Sequence, residues 1–388
     1  MLKYIFNLYS RWQISFFVEN ILNEFKRNLK DDDLFFKSLS PSENDFDRTH
    51  KQHLCQTYFL PFYFKFIINL LFLFSFPLLL LIYFCKKKPL KSQLIKTKLI
   101  GLDCTNSPNI YPNEIADDIY DVKFFSESKL LWRDIVFIFK FISNYPFSFW
   151  LTTRLLFKIA NYRGIILKYN PKAICITGEN TATSSALTAF CEQNNVSHYN
   201  FMSGEMFSTV NIAFFRFHKC YVMDKHYIKS FLRYNDVEKQ FIICSPLYFS
   251  LEPCIEENRQ RIVDFTYYLS MENEQELSSI YRSLEEIKKL GYTYRVRPHL
   301  RWTDLHLTKK YFCHDTIEDF NKINIQQSIS STNASISLFS SVLLQSHYLG
   351  KAIVIDDVVN PDKYLKLSTL DYIILDKPHL LLSSVLNR

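Results

Sequence analysis

Arg295, Arg297, His299 and Arg301 crowd into the stretch Gly-Tyr-Thr-Tyr-Arg-Val-Arg-Pro-His-Leu-Arg at 291–301. Alternation along a strand would set Arg295 and Arg297 on one face. A guanidinium grips phosphate oxygens through two parallel hydrogen bonds, and His299, just past Pro298, could donate to a phosphate or steady a leaving one. A second cluster, Ser330, Ser331, Thr332, Asn333 and Ser335, precedes an apolar run. Hydroxyls and unpaired N–H groups at a helix start bind anions. Glu179 and Glu205 each follow a glycine, Gly178 and Gly204, where a strand is expected to end. A carboxylate there can take the proton of an acceptor hydroxyl, and Gly204 makes Glu205 the first choice because it lets the backbone approach closely. Each motif also has a plainer reading: an exposed basic strand end, an N-cap cluster without a ligand, charges at helix starts. Asp356-Asp357 reads equally as a ribose contact or a capping pair.

The elements that must position these groups alternate between strand and helix from about residue 96. Strands are predicted at 99–103, 173–177, 198–202, 219–223 and 241–244, with a helix over 183–193. A second series begins near Arg261: strands at 262–269, 292–296, 328–330, 352–356 and 372–375, helices over 273–290 and 334–349, and a terminal helix. Such alternation implies mostly parallel sheets with right-handed crossovers. The expected fold class is α/β, with two facing Rossmann-like domains joined near 246–260 and ligands at the carboxyl ends of the strands. Domain limits are read as 1–95 (helical region), 96–250 (acceptor side) and 251–388 (donor side). Only six glycines occur in 388 residues, and neither Gly-x-Gly-x-x-Gly nor a P-loop is among them, which argues against a dinucleotide dehydrogenase or a P-loop ATPase.

Residues 66–85 carry no charge and are followed at once by Lys86-Lys87-Lys88. The stretch is long enough to span a bilayer, and the lysines would set its end in the cytoplasm. Pro77 and the flanking Lys65 and Asn69 also suit a re-entrant or in-plane anchor, and a buried core helix is a third reading. The aromatic-rich stretch 135–157 reads as a surface helix pair or as core helices of the first domain. Lys3 and Arg11 interrupt the N-terminus, so no cleavable signal peptide is expected. Nine cysteines, none spaced Cys-x-x-Cys, read as reduced core residues. A net charge of +7 suits an anionic membrane or substrate better than nucleic acid. No metal is expected: Asp-x-Asp occurs only at Asp31/Asp33 and Asp45/Asp47 in the polar N-terminal region.

With Arg297-Pro298-His299, Ser330-Ser331-Thr332 and Asn200-Phe-Met-Ser-Gly-Glu205, the chain resembles bacterial GT-B glycosyltransferases of capsule and O-antigen assembly, the sialyltransferase and polysialyltransferase group in particular. The resemblance covers about residues 172–357. The family's His-Pro pair is reversed here, and Ser203 stands where related proteins often carry His. The resemblance implies a metal-independent, inverting transferase without a cofactor. Its donor would be a nucleotide-sugar, with CMP-sialic acid one candidate, and its acceptor an oligosaccharide or lipid-linked chain. Catalysis would fall to Glu205, with Glu179 as the alternative, and to His299. Arg295, Arg297, Ser330, Ser331, Thr332, Asn333 and Ser335 would bind the donor. The expected place is the cytoplasmic face of the bacterial inner membrane. A CDP-polyol phosphotransferase and a non-catalytic assembly protein remain alternatives.

Overall fold

The computed structural model describes residues 29–87, 99–102, 111–122, 129–202, 209–244, 262–300 and 302–387. The chain divides into two compact units, the first ending at Cys244 and the second beginning at Ser245. Glu205, Ser203, Arg301 and the 246–260 joint lie outside the described residues.

Among the described residues, the first unit opens with helices α1 (Leu29–Lys37), α2 (Asp45–Thr57) and α3 (Phe62–Cys85). Strand β1 (Leu99–Leu102), helix α4 (Asn113–Ala116), strand β2 (Ile119–Val122) and helices α5 (Trp132–Asn144) and α6 (Phe149–Tyr169) follow. The unit closes with β3 (Ala173–Ile176), α7 (Ser184–Glu192), β4 (Ser197–Phe201), β5 (Lys219–Val222), α8 (Lys225–Arg233) and β6 (Phe241–Ile243). Six strands form one parallel sheet in the order β2-β1-β3-β4-β5-β6. All four side chains of β3 are buried, as expected of a parallel strand covered on both faces. The 135–157 stretch supplies core helices: α6 buries Leu151, Leu155, Leu156 and Ile159 completely. The N-terminal helices are not a separate layer. Helix α2 packs on α7, and Thr49 accepts the backbone N–H of Ala186 at 2.8 Å, serving a donor in the first turn of α7.

The second unit contains β7 (Val263–Tyr268), α9 (Glu274–Lys289), β8 (Tyr294–Arg297), α10 (Leu305–Tyr311) and α11 (Ile325–Ser330). It ends with β9 (Thr332–Ser337), α12 (Ser341–Tyr348), β10 (Ala352–Ile355), α13 (Pro361–Thr369), β11 (Leu380–Leu381) and α14 (Leu382–Leu386). Its parallel sheet runs β11-β10-β9-β7-β8. Helix α9 turns Leu277, Ile280, Leu284 and Ile287, spaced three and four apart, onto Phe265, Val296 and Ile336 of the sheet. Gly291 and Gly350 stop α9 and α12 with φ of 90° and 72°, the left-handed position that glycine takes without steric cost.

Both units share one winding order. In each, the second strand lies outside the first on one side, and the chain then crosses to build the rest of the sheet on the other. The switch points fall between β1 and β3 and between β7 and β9, and ligands of such folds sit outside the carboxyl ends of the strands there.

Three predicted elements are corrected. Residues 328–330 end helix α11, 332–337 are a strand, and the helix expected from 334 starts only at Ser341. The expected strand at 372–375 is a short 3-10 turn, Ile373–Asp376. Strand β2, absent from the prediction, is a half-exposed edge of four residues.

Candidate functional site

At the carboxyl edge of the second sheet, β7 leads through Ser270 and Glu272 into α9. The Glu272 carboxylate accepts the Ser270 N–H at 2.7 and 2.9 Å. Burial, helped by the nearby charge of Glu276, pushes this carboxyl up to about 7 against the pull of the backbone hydrogen bonds, in the range where an acid can both give and take a proton. Strand β8 ends at Pro298 and exposed His299. Thr303 Oγ1 ties the two loops together, accepting the His299 N–H at 2.8 Å and donating to the Ser270 carbonyl at 2.9 Å. His299 therefore stands at the carboxyl edge of the second sheet.

Ser340 is the N-cap of α12, its hydroxyl accepting the Val342 N–H at 3.3 Å. The run Ser337-Leu-Phe-Ser340-Ser341 is the hydroxyl-bearing, helix-opening loop at the carboxyl edge. Sequence reasoning placed that loop at 330–335 instead. Ser330, Ser331, Thr332, Asn333 and Ser335 belong to the end of α11 and the body of β9, away from the edge. Their hydroxyls have internal tasks. Ser331 donates to the Ser328 carbonyl, Thr332 to the Ala334 carbonyl, and Ser335 accepts Ser346 at 2.7 Å, fastening α12 to the sheet. Asn333 reaches Asp264 at 3.3 Å. The missed signals were the period-two burial of Ala334 and Ile336 and a Ser-Ser pair immediately before Val-Leu-Leu, an N-cap pattern.

Arg295 and Arg297 do share a face of β8, but that face is buried. Arg295 bonds one oxygen of Glu318 at 2.8 Å and Arg297 bonds the other. Arg295 also reaches Ser331 at 3.2 Å, and Arg297 the Ile323 carbonyl at 3.0 Å. Glu318 is 3 % exposed and is brought alongside β8 by the Val296–Ile317 bridge and its own N–H on the Val296 carbonyl. The expected phosphate clamp is thus an internal Arg–Glu–Arg triad. A partner 21 residues beyond Arg297 was invisible to local spacing. Asp356 and Asp357 resolve as caps: Asp356 accepts Tyr267 Oη at 2.6 Å and the N–H groups of Val358 and Val359, and Asp357 takes Ser383.

In the first unit, Glu179 follows β3 at the carboxyl edge, beside the switch point. It is 4 % exposed. Asn200 of β4 organises it, donating to Glu179 Oε2 at 3.0 Å while accepting the Gly178 N–H at 2.7 Å. Gln52 of α2 holds the Glu179 carbonyl at 2.9 Å, and Gln56 holds that of Asn180 at 2.9 Å. No ion pair involves Glu179 among the described residues. Burial therefore pushes its carboxyl above the ordinary range, although backbone and Asn200 hydrogen bonds pull the other way.

No protein-family model and no curated protein matches this sequence. Among solved structures, the UDP-GlcNAc 2-epimerase of Methanocaldococcus jannaschii is 12% identical, with 75% of this chain and 91% of that one covered at a TM-score of 0.44. The Neisseria meningitidis UDP-GlcNAc 2-epimerase, bound to UDP-GlcNAc, is 10% identical, covering 74% and 89% at 0.43. A variant of the wall teichoic acid polymerase TagF is 11% identical, covering 77% and 81% at 0.40. Likenesses this distant assign neither family nor substrate. The chain's own topology defines a protein of two doubly wound, parallel α/β units.

Proposed function

We propose that this chain is a glycosyltransferase that carries a sugar from a nucleotide donor to a hydroxyl of an oligosaccharide or lipid-linked acceptor. The observation that carries the reading is Glu179, a desolvated carboxyl without a cationic partner among the described residues, oriented by Asn200 at the carboxyl edge of the first sheet. A structural carboxylate at such a place is normally paired; one kept without a counter-ion among the described residues and raised above its ordinary range by burial is suited to proton transfer. In the proposed reaction the acceptor oxygen attacks the anomeric carbon, its proton passes to Glu179, and the bond to the donor phosphate breaks with inversion. Within the second unit taken by itself, His299 and the N–H groups at the start of α12, with Ser340 and Ser341 beside them, are the groups suited to hold a nucleotide phosphate. The step needs no metal. Sialic acid from a CMP donor is the specific form that the resemblance suggests, at the cytoplasmic membrane face.

Two measurements on purified protein test this. Titration calorimetry with CMP, CDP, UDP and GDP, with and without EDTA, should find one nucleotide bound regardless of chelator. Glu179→Gln should leave that binding and the circular dichroism spectrum unchanged while lowering turnover by about 10²–10⁴-fold. Undiminished turnover in Glu179→Gln would remove the assigned base, and binding of none of the four nucleotides by folded protein would remove the transferase.

A further inference from the structure

Helix α3 has two faces that its sequence does not distinguish. Ile68, Phe76, Leu79 and Tyr83 are buried, while Phe62, Phe66, Leu70, Phe74, Leu78 and Leu81 are exposed, Phe74 by 75% and Leu78 by 59%. At about 100° per residue the exposed set fills roughly half the circumference and the buried set lies opposite. The buried face is fastened to α6 and the start of α5 along nearly its whole length. Trp150 N–H donates to Asn69 Oδ1 at 3.0 Å, Phe76 packs on Phe149 and Tyr83 on Phe157, and Leu130 N–H reaches the Tyr83 carbonyl at 3.0 Å.

We infer that α3 is an in-plane membrane anchor: it lies flat on an anionic lipid bilayer, its outer face sunk among the acyl chains, and does not cross. Crossing would draw α6 in with it. That helix carries Arg154, Lys158 and Arg163, the last in a fully buried pair with Asp134 at 2.6 Å, and hydrocarbon does not accept such a load cheaply. A core-helix reading fails too, because only 22% of the most apolar window is buried. Left in water, the strip would be an uncovered apolar patch of the kind that marks an interaction surface.

Charge selects the occupant. Residues 48–102 contain no Asp or Glu and nine Lys or Arg. Lys65 stands near the start of α3, Lys86 and Lys87 follow its end, and Lys129 lies 5.4 Å from the Phe84 ring. Trp132, at the head of α5 and 71% exposed, adds an aromatic suited to the headgroup layer. A second copy pairing through the same strip would bring lysine against lysine, whereas anionic headgroups attract each of them. The membrane seat does not depend on the sugar-transfer reading, since vesicle binding needs neither donor nor acceptor.

Full-length protein should co-sediment with phosphatidylglycerol–phosphatidylcholine vesicles and much less with phosphatidylcholine alone. Phe74→Glu with Leu78→Glu should cut partitioning by at least roughly tenfold without changing the circular dichroism spectrum. Lys86→Ser with Lys87→Ser should cut it by about tenfold on the anionic vesicles only. On preformed vesicles, tags at both termini should stay open to added protease. The inference is overturned if the double Glu variant binds like the parent. Protection of one tag, which means spanning, overturns it as well, as does a soluble dimer that binds no vesicles and that the double Glu variant dissociates.

Discussion

The two α/β units use the same strand order and handle buried charge in opposite ways. In the second, three ionised groups meet beneath the sheet edge: Glu318 divides its oxygens between Arg295 and Arg297. In the first, Glu179 is as deeply buried, and among the described residues its hydrogen bonds come from an amide and backbone N–H groups, with no ion pair. A paired buried ion holds a fold in register and contributes little net stability, yet losing one member leaves the others stranded. An unpaired buried carboxyl shifts its own proton affinity instead. One winding order can thus carry a shared-ion cluster in one unit and a buried carboxyl of raised proton affinity in the other, and partners rather than residue type decide which is which.

Removing the shared anion should break the contrast most severely. Glu318→Ala leaves two buried guanidinium groups side by side and should cost about 3–5 kcal/mol, read as a lower urea midpoint for the second unit. A midpoint unchanged from the parent would mean that the arginines reach solvent and are open to a phosphate after all. Ser340→Ala removes the N-cap of α12 and should cost about 1 kcal/mol, with weaker nucleotide binding by calorimetry; stability loss without a binding change would confine Ser340 to capping.

The smallest effect sharpens the other side. Glu179 has a raised carboxyl in the folded state, so the native protein holds its proton more tightly than the unfolded chain. Its contribution to stability is complete below the ordinary carboxylate range and is lost as pH rises through the folded value. Glu179→Gln should therefore be within about 1 kcal/mol of the parent, trailing or equal at acid pH and gaining on it as pH increases. Urea titrations from acid to alkaline pH check the sign, and a parallel pair of curves would show that Glu179 is not desolvated as described.

The sequence alone determined the α/β class, the two parallel series and most strands, because runs such as Ala173–Ile176 and Ala352–Ile355 are apolar, short and bounded by turn residues. It also placed His299 and Glu179 just past strand ends, and the structure sets both at the carboxyl edges of their sheets. It misread 328–335, since serine and asparagine are poor strand formers and β9 holds them only through partners such as Ser346, supplied by a helix that packs later in the chain. Tertiary structure alone decided that Arg295 and Arg297 are spoken for by Glu318, that Glu179 has no counter-ion among the described residues, and that α3 has a dry face and a bare one. Each of those outcomes depends on which distant groups come within a few ångströms, and local periodicity carries no record of that.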